Sequence, residues 1–347
     1  MKNTKRIIAL IIVIVTVFAV AGCGAKNEKA SLTLWNECDA LTSLKAYVAD
    51  VTDEKSENFI PKQDRIAVFD MDGTLYGELF PTYIEYLLCA YRCLDDPTYT
   101  ASDEMKEVAT AIREGAKIGK FPSDMPMQHA LCQAKAFEGM SIDEFEKYVK
   151  DFLKMTPEGF EGMTYAEAFY KPMIEVISYL QDNGFLAYIV SGSDRFICRA
   201  LASEACGIPY ERVIGMDVKL VASNQGEKDS LNYQFTSGDR VLRTSTLLIK
   251  NLKMNKVAQI AQEIGRQPVL SFGNSSGDVS MHMYTITNNK YKSAAFMLIA
   301  DDEDRDWGNT EKTTKLGEDW KNYGFIVISM KNDFKTIYGD KVKKTSR

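Results

Sequence analysis

Short apolar runs punctuate the chain at residues 66–69, 186–190, 213–215, 269–272, 294–300 and 325–329. Each is rich in Val, Ile, Leu, Phe or Ala and bounded by Gly, Asp or Pro, the pattern of strands buried on both faces of a parallel sheet. Between several of them the apolar positions move to helical spacing. Residues 171–183 place Met173, Ile174, Val176, Ile177 and Leu180 on one face ahead of Gly184. Residues 195–206 and 254–264 read the same way. Strands alternating with helices predict βαβ units, hence an α/β fold with a doubly wound parallel sheet.

Two stretches interrupt the alternation. Residues 77–170 carry only helical patterns, such as 103–115 and 142–154. Ser141 is placed to cap the second, with Glu144 completing a capping box. This segment reads as an inserted helical subdomain. Residues 217–249 hold alternating segments (218–221, 233–235, 241–242) separated by polar and glycine-containing turns, and read as a β-hairpin excursion. The catalytic core would then comprise 34–76 and 171–347.

The amino terminus has a different character. Lys2, Lys5 and Arg6 precede an apolar stretch at 7–20, broken by Thr16, and then Val20-Ala21-Gly22-Cys23. That order is a signal peptide over 1–22, followed by a polar tether over 23–33. The last four residues resemble a bacterial lipobox, which implies cleavage before Cys23 and lipidation of its thiol; an uncleaved signal anchor is the alternative. Removal of 1–22, with three basic residues and no acidic one, takes the net charge from −6 to −9. An acidic exported chain without a basic cluster is a poor nucleic-acid binder. Its membrane contact is expected through the lipid on Cys23, at the outer face of a bacterial cytoplasmic membrane or on the periplasmic side, and no protein partner is evident. Cys38, Cys89, Cys93, Cys132, Cys198 and Cys206 remain, an even number that export allows to pair. Cys89 and Cys93, at i and i+4 of a helical stretch, read equally well as buried free thiols.

With only two histidines, His129 and His282, histidine-rich zinc chemistry is excluded and carboxylate chemistry is favoured. Phe69-Asp70-Met71-Asp72-Gly73-Thr74-Leu75 follows the first core strand. Asp70 and Asp72 project to one side, at the strand end where open α/β sheets bind ligands. Two carboxylates there call for a proton or a cation between them, and hard oxygen donors suit Mg²⁺. Ser191-Gly192-Ser193, between strand and helix, offers a hydroxyl and backbone N–H groups to an anion. Lys250, Lys253 and Lys256 stand near the start of a later helix. Gly273-Asn274-Ser275-Ser276-Gly277-Asp278 follows another strand. Its G-x-S-x-G spacing also matches a serine-hydrolase elbow, but the sole histidine after Ser275 is His282, in the same short element and poorly placed for a triad. The acidic run 301–306 lacks the glycine and glutamate of an EF-hand and reads as a solvated loop.

Together these four sites resemble the haloacid dehalogenase (HAD) superfamily of phosphatases. The resemblance covers nearly all of the chain beyond residue 22 and is nearest to exported phosphoserine-phosphatase-like and acid-phosphatase-like bacterial members. It implies a Rossmann-like core with a helical C1 cap over 77–170. It implies Asp70 as nucleophile, forming an aspartyl-phosphate, and Asp72 as acid and base. Ser191, Gly192, Lys256 and Thr74 would bind the phosphate of a small phosphorylated substrate, with Lys253 the alternative to Lys256. Mg²⁺ would be held by Asp70, Asp72, Asn274 and Asp278. Asn274 replaces the usual acid of the fourth motif, so the direct ligand is open between it and Asp278. Tyr76, Glu78 and Tyr83 are near enough in sequence to influence substrate choice. The implied activity is that of a phosphomonoesterase. A phosphorylcholine-type phosphatase and a catalytically impaired phosphoester-binding lipoprotein are the alternatives.

Overall fold

The computed structural model describes residues 30–78 and 80–345; the signal sequence and Cys23 lie outside the described residues. The chain begins with α1 (Asp39–Thr52) and enters the sheet at β1 (Ile66–Phe69). Four helices follow: α2 (Ile84–Leu94), α3 (Asp103–Ile118), α4 (Met125–Ala136) and α5 (Ile142–Phe152). A short β2 (Phe160–Glu161) and α6 (Lys171–Asp182) lead to β3 (Leu186–Asp194), α7 (Arg195–Cys206), β4 (Val213–Ala222) and β5 (Val241–Ile249). Then come α8 (Met254–Gln259), with a π-helical turn at Ile260–Ile264, β6 (Leu270–Gly273), α9 (Val279–Ile286), β7 (Ala294–Ile299), α10 (Thr310–Asn322), β8 (Ile326–Ser329), α11 (Met330–Asp333) and β9 (Lys343–Lys344).

Seven strands form one sheet in the order β5-β4-β3-β1-β6-β7-β8. All neighbours run parallel except β4 and β5. The alternation along β1 shows why helices cover both faces. Ile66 and Val68 pack with Val190, Ile214, Ile260 and Met281 on one face, whereas Ala67 and Phe69 belong to the larger core on the other. On that second face Phe69, Phe272 and Phe296 occupy paired registers of β1, β6 and β7. Their rings stack at 4.5 and 4.9 Å between centroids, so the middle of the sheet is held by a contiguous aromatic ladder. Among the described residues, no helix is long and apolar enough to cross a membrane.

The α/β class and parallel sheet expected from the apolar runs are therefore present, with differences in detail. The 217–249 segment is a hairpin joined to the sheet rather than set apart from it. β4 continues from its parallel partner β3 into antiparallel pairing with β5, which becomes the sheet edge. Residues 233–235, expected as a strand, belong to the connection between them. The helical stretch before α6 also contains β2, which pairs antiparallel with β9 near the carboxyl terminus. Ser141 and Glu144 form the expected capping box.

The acidic run 301–306 is corrected most clearly. Asp301, Asp302 and Asp306 are buried, not solvated. Asp301 accepts hydrogen bonds from the Ser329 hydroxyl and the Lys331 N–H, Asp302 from Arg305, and Asp306 from the Tyr338 hydroxyl. Burial is tolerable because each carboxylate finds donors, several of them from distant parts of the chain. The six described cysteines are free thiols.

Candidate active site

Asp70 follows β1 directly, and its N–H donates to the Phe272 carbonyl at 2.9 Å, extending the sheet ladder by one residue. It has the parity of Ile66 and Val68 and so faces the side on which α8 packs. There Lys256 Nζ lies 2.5 Å from Asp70 Oδ1 and 2.7 Å from Asp278 Oδ1. All three side chains are buried. Lys253 is exposed and donates its backbone N–H to Gly277, so of the two lysines it is Lys256 that reaches the carboxylates.

The turn after Asp70 closes tightly on Met71, whose carbonyl accepts from Leu75 and Tyr76 N–H groups at 2.9 and 3.0 Å. Gly73 takes φ +80°, and a Cβ there would stand 1.9 Å from Asn274 Nδ2. Only glycine satisfies both the backbone and the approach. The turn brings Asp72 back over the strand ends, where Ser193 Oγ donates to its Oδ2 at 2.6 Å. Asp72 Oδ1 is buried and has no hydrogen-bond partner. Glu78 Oε2 is in the same condition, while Glu78 Oε1 accepts from Asn274 Nδ2 at 3.1 Å.

These groups line a pocket of about 90 Å³ at the carboxyl ends of the strands. Among the described residues, Asp70, Asp72, Glu78, Glu85 and Asp278 meet only two cations in its wall, Lys250 and Lys256. Glu85 is satisfied by Lys250 at 2.8 Å and by the Asp194 N–H at 3.1 Å. Burial, with the charge of Asp278, pushes Asp70 up to about 8. Burial likewise raises Asp72 to about 7, against the Ser193 hydrogen bond. Glu78 rises to about 8 through burial and the charges of Asp72 and Asp70. Burial opposes ionisation of Asp278 too, but the Lys256 charge outweighs it and holds this carboxyl below its ordinary value. Asp278 is the loop's anchor: its Oδ2 accepts the N–H groups of Asn274 and Ser275 and the Ser275 hydroxyl.

The expected site residues are not all in the pocket wall. Asp70, Asp72, Gly192, Lys256 and Asp278 are. Asn274 lines an adjoining cavity of about 290 Å³, together with Glu78, Tyr83 and Ser275. Thr74 is buried beneath the turn, its hydroxyl 3.5 Å from Asn274 Oδ1. Ser191 is also buried, and its hydroxyl accepts the Ser193 N–H at 3.0 Å. The cause is a register shift in β3 between Val190 and Asp194. Such bulges re-aim side chains, and here Ser193, which the motif spacing did not single out, is the one turned onto Asp72. Glu78 and Tyr83 line the pocket, whereas Tyr76 is core and donates its hydroxyl to the Tyr165 carbonyl.

Neither histidine enters the wall. His282 is buried against Ser271 Oγ at 2.7 Å, which leaves Ser275 without a triad. His129 stands behind Glu85, Nδ1 to Oε1 3.6 Å.

Comparison with known proteins bears on the fold and the family. No curated protein matches the chain. The fold resembles a conserved protein of unknown function from Anaerococcus prevotii DSM 20548, at 14% identity and TM-score 0.52, covering 87% of this chain and 96% of that one. A protein of unknown function from Bordetella pertussis Tohama I follows, at 15% identity and TM-score 0.48, covering 76% and 97%. Cytosolic 5'-nucleotidase IIIB bound to cytidine has 12% identity and TM-score 0.48, covering 84% of each chain. The sequence itself matches the haloacid dehalogenase-like hydrolase family over residues 67–282, a span that runs from β1 through the Lys256 helix to α9, and the chain belongs to that family.

Proposed function

We propose that this hydrolase is a Mg²⁺-dependent phosphomonoesterase acting through an aspartyl-phosphate on Asp70. The observation that carries the reading is the buried Asp70–Lys256–Asp278 array beside Asp72, at the mouth of a pocket sized for a phosphoryl group. Lys256 orients Asp70 for attack on phosphorus and offsets charge on the transferring oxygens. Asp72, held by Ser193, keeps Oδ1 available to pass a proton to the leaving oxygen and then to take one from water. A carboxyl raised to about 7 is suited to both duties near neutral pH. Gly192 is in the same wall and would offer its N–H to the phosphate.

The donor set fits Mg²⁺. It is all oxygen and too acidic for its two lysines, and it has a buried oxygen without a partner, Glu78 Oε2. Asp70 and Asn274 would hold the ion, with Glu78 restoring the negative charge that Asn274 lacks and Asp72 left to proton transfer. Asp278, its oxygens already engaged, positions Lys256 and the loop. Bound there, the ion would keep the Asp70 nucleophile ionised and polarise the phosphoryl group.

The basic–apolar–small pattern of residues 1–23 supports export and lipid attachment at Cys23. Hydrolysis of p-nitrophenyl phosphate and of a broad phosphate-ester panel tests the activity. Turnover that requires Mg²⁺ and disappears in Asp70→Asn is expected. Ligand binding without turnover across the panel would leave the chain a phosphoester-binding lipoprotein.

A further inference from the structure

Away from the pocket, α2 and α4 bring three thiols together. Cys89 and Cys93 are one turn apart on α2, and Cys132 faces them from α4. Cys89 Sγ and Cys93 Sγ lie 3.6 and 3.9 Å from Cys132 Sγ, and all three atoms fall within 4.8 Å of one another. All three residues are buried.

The number of thiols discriminates between the two things thiols do. A disulfide between any two would leave the third over, whereas one ion takes all three. Three thiolates around one ion with metal–sulfur bonds of about 2.3 Å have edges of about 3.8 Å in a tetrahedral arrangement and about 4.0 Å in a trigonal one. The two separations from Cys132, 3.6 and 3.9 Å, already lie close to those edges, and the third is within 4.8 Å. From these positions we infer that Cys89, Cys93 and Cys132 form a binding site for one soft d¹⁰ metal ion, of the Zn²⁺ or Cu⁺ class.

The geometry gathers the ligands, and the charge must be carried by the ion. Thiolate is the ligating form, so binding three thiols expels three protons to solvent and leaves net negative charge. Hydrogen bonds among the three thiols, together with burial, raise Cys89 and push Cys132 up to about 12, so metal must displace a proton from each; Cys93 is held down by those bonds, aided by the Arg92 guanidinium. The Cys132 thiol also lies 3.8 Å from the Met105 carbonyl, which ties α3 to the cluster. Bound metal would cross-link α2 to α4 one turn beyond Glu85 and His129. Glu85 lines the candidate catalytic pocket and His129 stands 3.6 Å behind it, so the ion would stiffen that wall without touching it.

The test uses the full chain, reduced and stripped of metal. Cd²⁺ reports on the Zn²⁺ class through its sulfur-to-metal charge-transfer band, and Cu⁺ is added anaerobically in a separate arm. A band or chelator competition that saturates at one ion per chain is expected. It should be lost in Cys89→Ser/Cys93→Ser/Cys132→Ser and kept in Cys38→Ser/Cys198→Ser/Cys206→Ser. If the first variant fails to fold, alkylation mapping of the wild-type chain decides: metal must protect Cys89, Cys93 and Cys132 selectively. Fully reduced protein that binds neither ion overturns the inference. So does binding that protects other cysteines, or isolation with a disulfide among the three and no metal uptake after reduction. None of these outcomes depends on whether the chain hydrolyses phosphate esters.

Discussion

Replacing Lys256 by methionine removes the one cation between Asp70 and Asp278. The side chain is 1% exposed and makes both of its ionic hydrogen bonds to buried carboxylates, at 2.5 and 2.7 Å. Methionine fills the volume but leaves two acids facing one another. Breaking a buried pair by removing one partner costs about 3–5 kcal/mol. The pH dependence follows from Asp278, whose carboxyl Lys256 holds below its ordinary value. A depressed carboxyl contributes stability above its unfolded pKa and loses it as pH falls through the folded one. The deficit of Lys256→Met is therefore full at neutral pH and shrinks below about pH 4. Urea unfolding without Mg²⁺ measures it. Lys256→Met/Asp278→Asn should recover part of the stability, because the uncompensated charge is gone. It should recover none of the rate, which falls roughly a hundred- to a thousandfold when a preorganised electrostatic donor is lost. A Lys256→Met protein within about 0.5 kcal/mol of wild type and fully active would refute the arrangement.

Other consequences are as direct. Ser193→Ala removes a donor that lowers the Asp72 pKa, so the basic limb of the pH–rate profile should move up by about one unit; an unmoved limb excludes Ser193 from that role. Asp70, Asp72 and Glu78 are raised to about 8, 7 and 8. Raised carboxyls stabilise below the unfolded pKa and lose that contribution as pH rises through the folded values. Metal-free protein should then melt lower at about pH 9 than at about pH 6, and Mg²⁺ should raise the melting temperature more at the higher pH, as scanning calorimetry would show. Gly73→Ala should cost about 1–2 kcal/mol from its left-handed backbone alone, and more from collision with Asn274; unchanged stability would mean that the turn can relax.

The parts of this molecule that local pattern determines were legible in the sequence. β1 has apolar side chains on both faces, so its run announces a buried strand. Asp70 and Asp72 are placed by the strand end and by Gly73, within a few residues of each other. Where partners come from afar, the reading fell short. Ser191-Gly192-Ser193-Asp194 resembles loop chemistry, yet pairing of Asp194 with Met216 keeps it in β3, and the register shift between Val190 and Asp194 accompanies the contact of Ser193 with Asp72 that the motif did not single out. Asp301 and Asp306 look solvated until Ser329 and Tyr338 are seen to cover them. Helix α10 buries only Thr313, Gly317 and Trp320, too weak an apolar stripe to stand out. Glu78 gains its place from the fold of the turn and from Asn274, which lies 196 residues away in the chain.

The central claim is that Asp70 becomes covalently phosphorylated. Asp72→Asn slows release of that phosphate by removing the base that activates water, and acid quenching then preserves the adduct. With a phosphate ester labelled in its phosphoryl group, peptide mapping by mass spectrometry should place the label on Asp70 and nowhere else, and Asp70→Asn should carry none. Turnover by the wild-type enzyme with no label on Asp70 in the quenched variant would contradict the account.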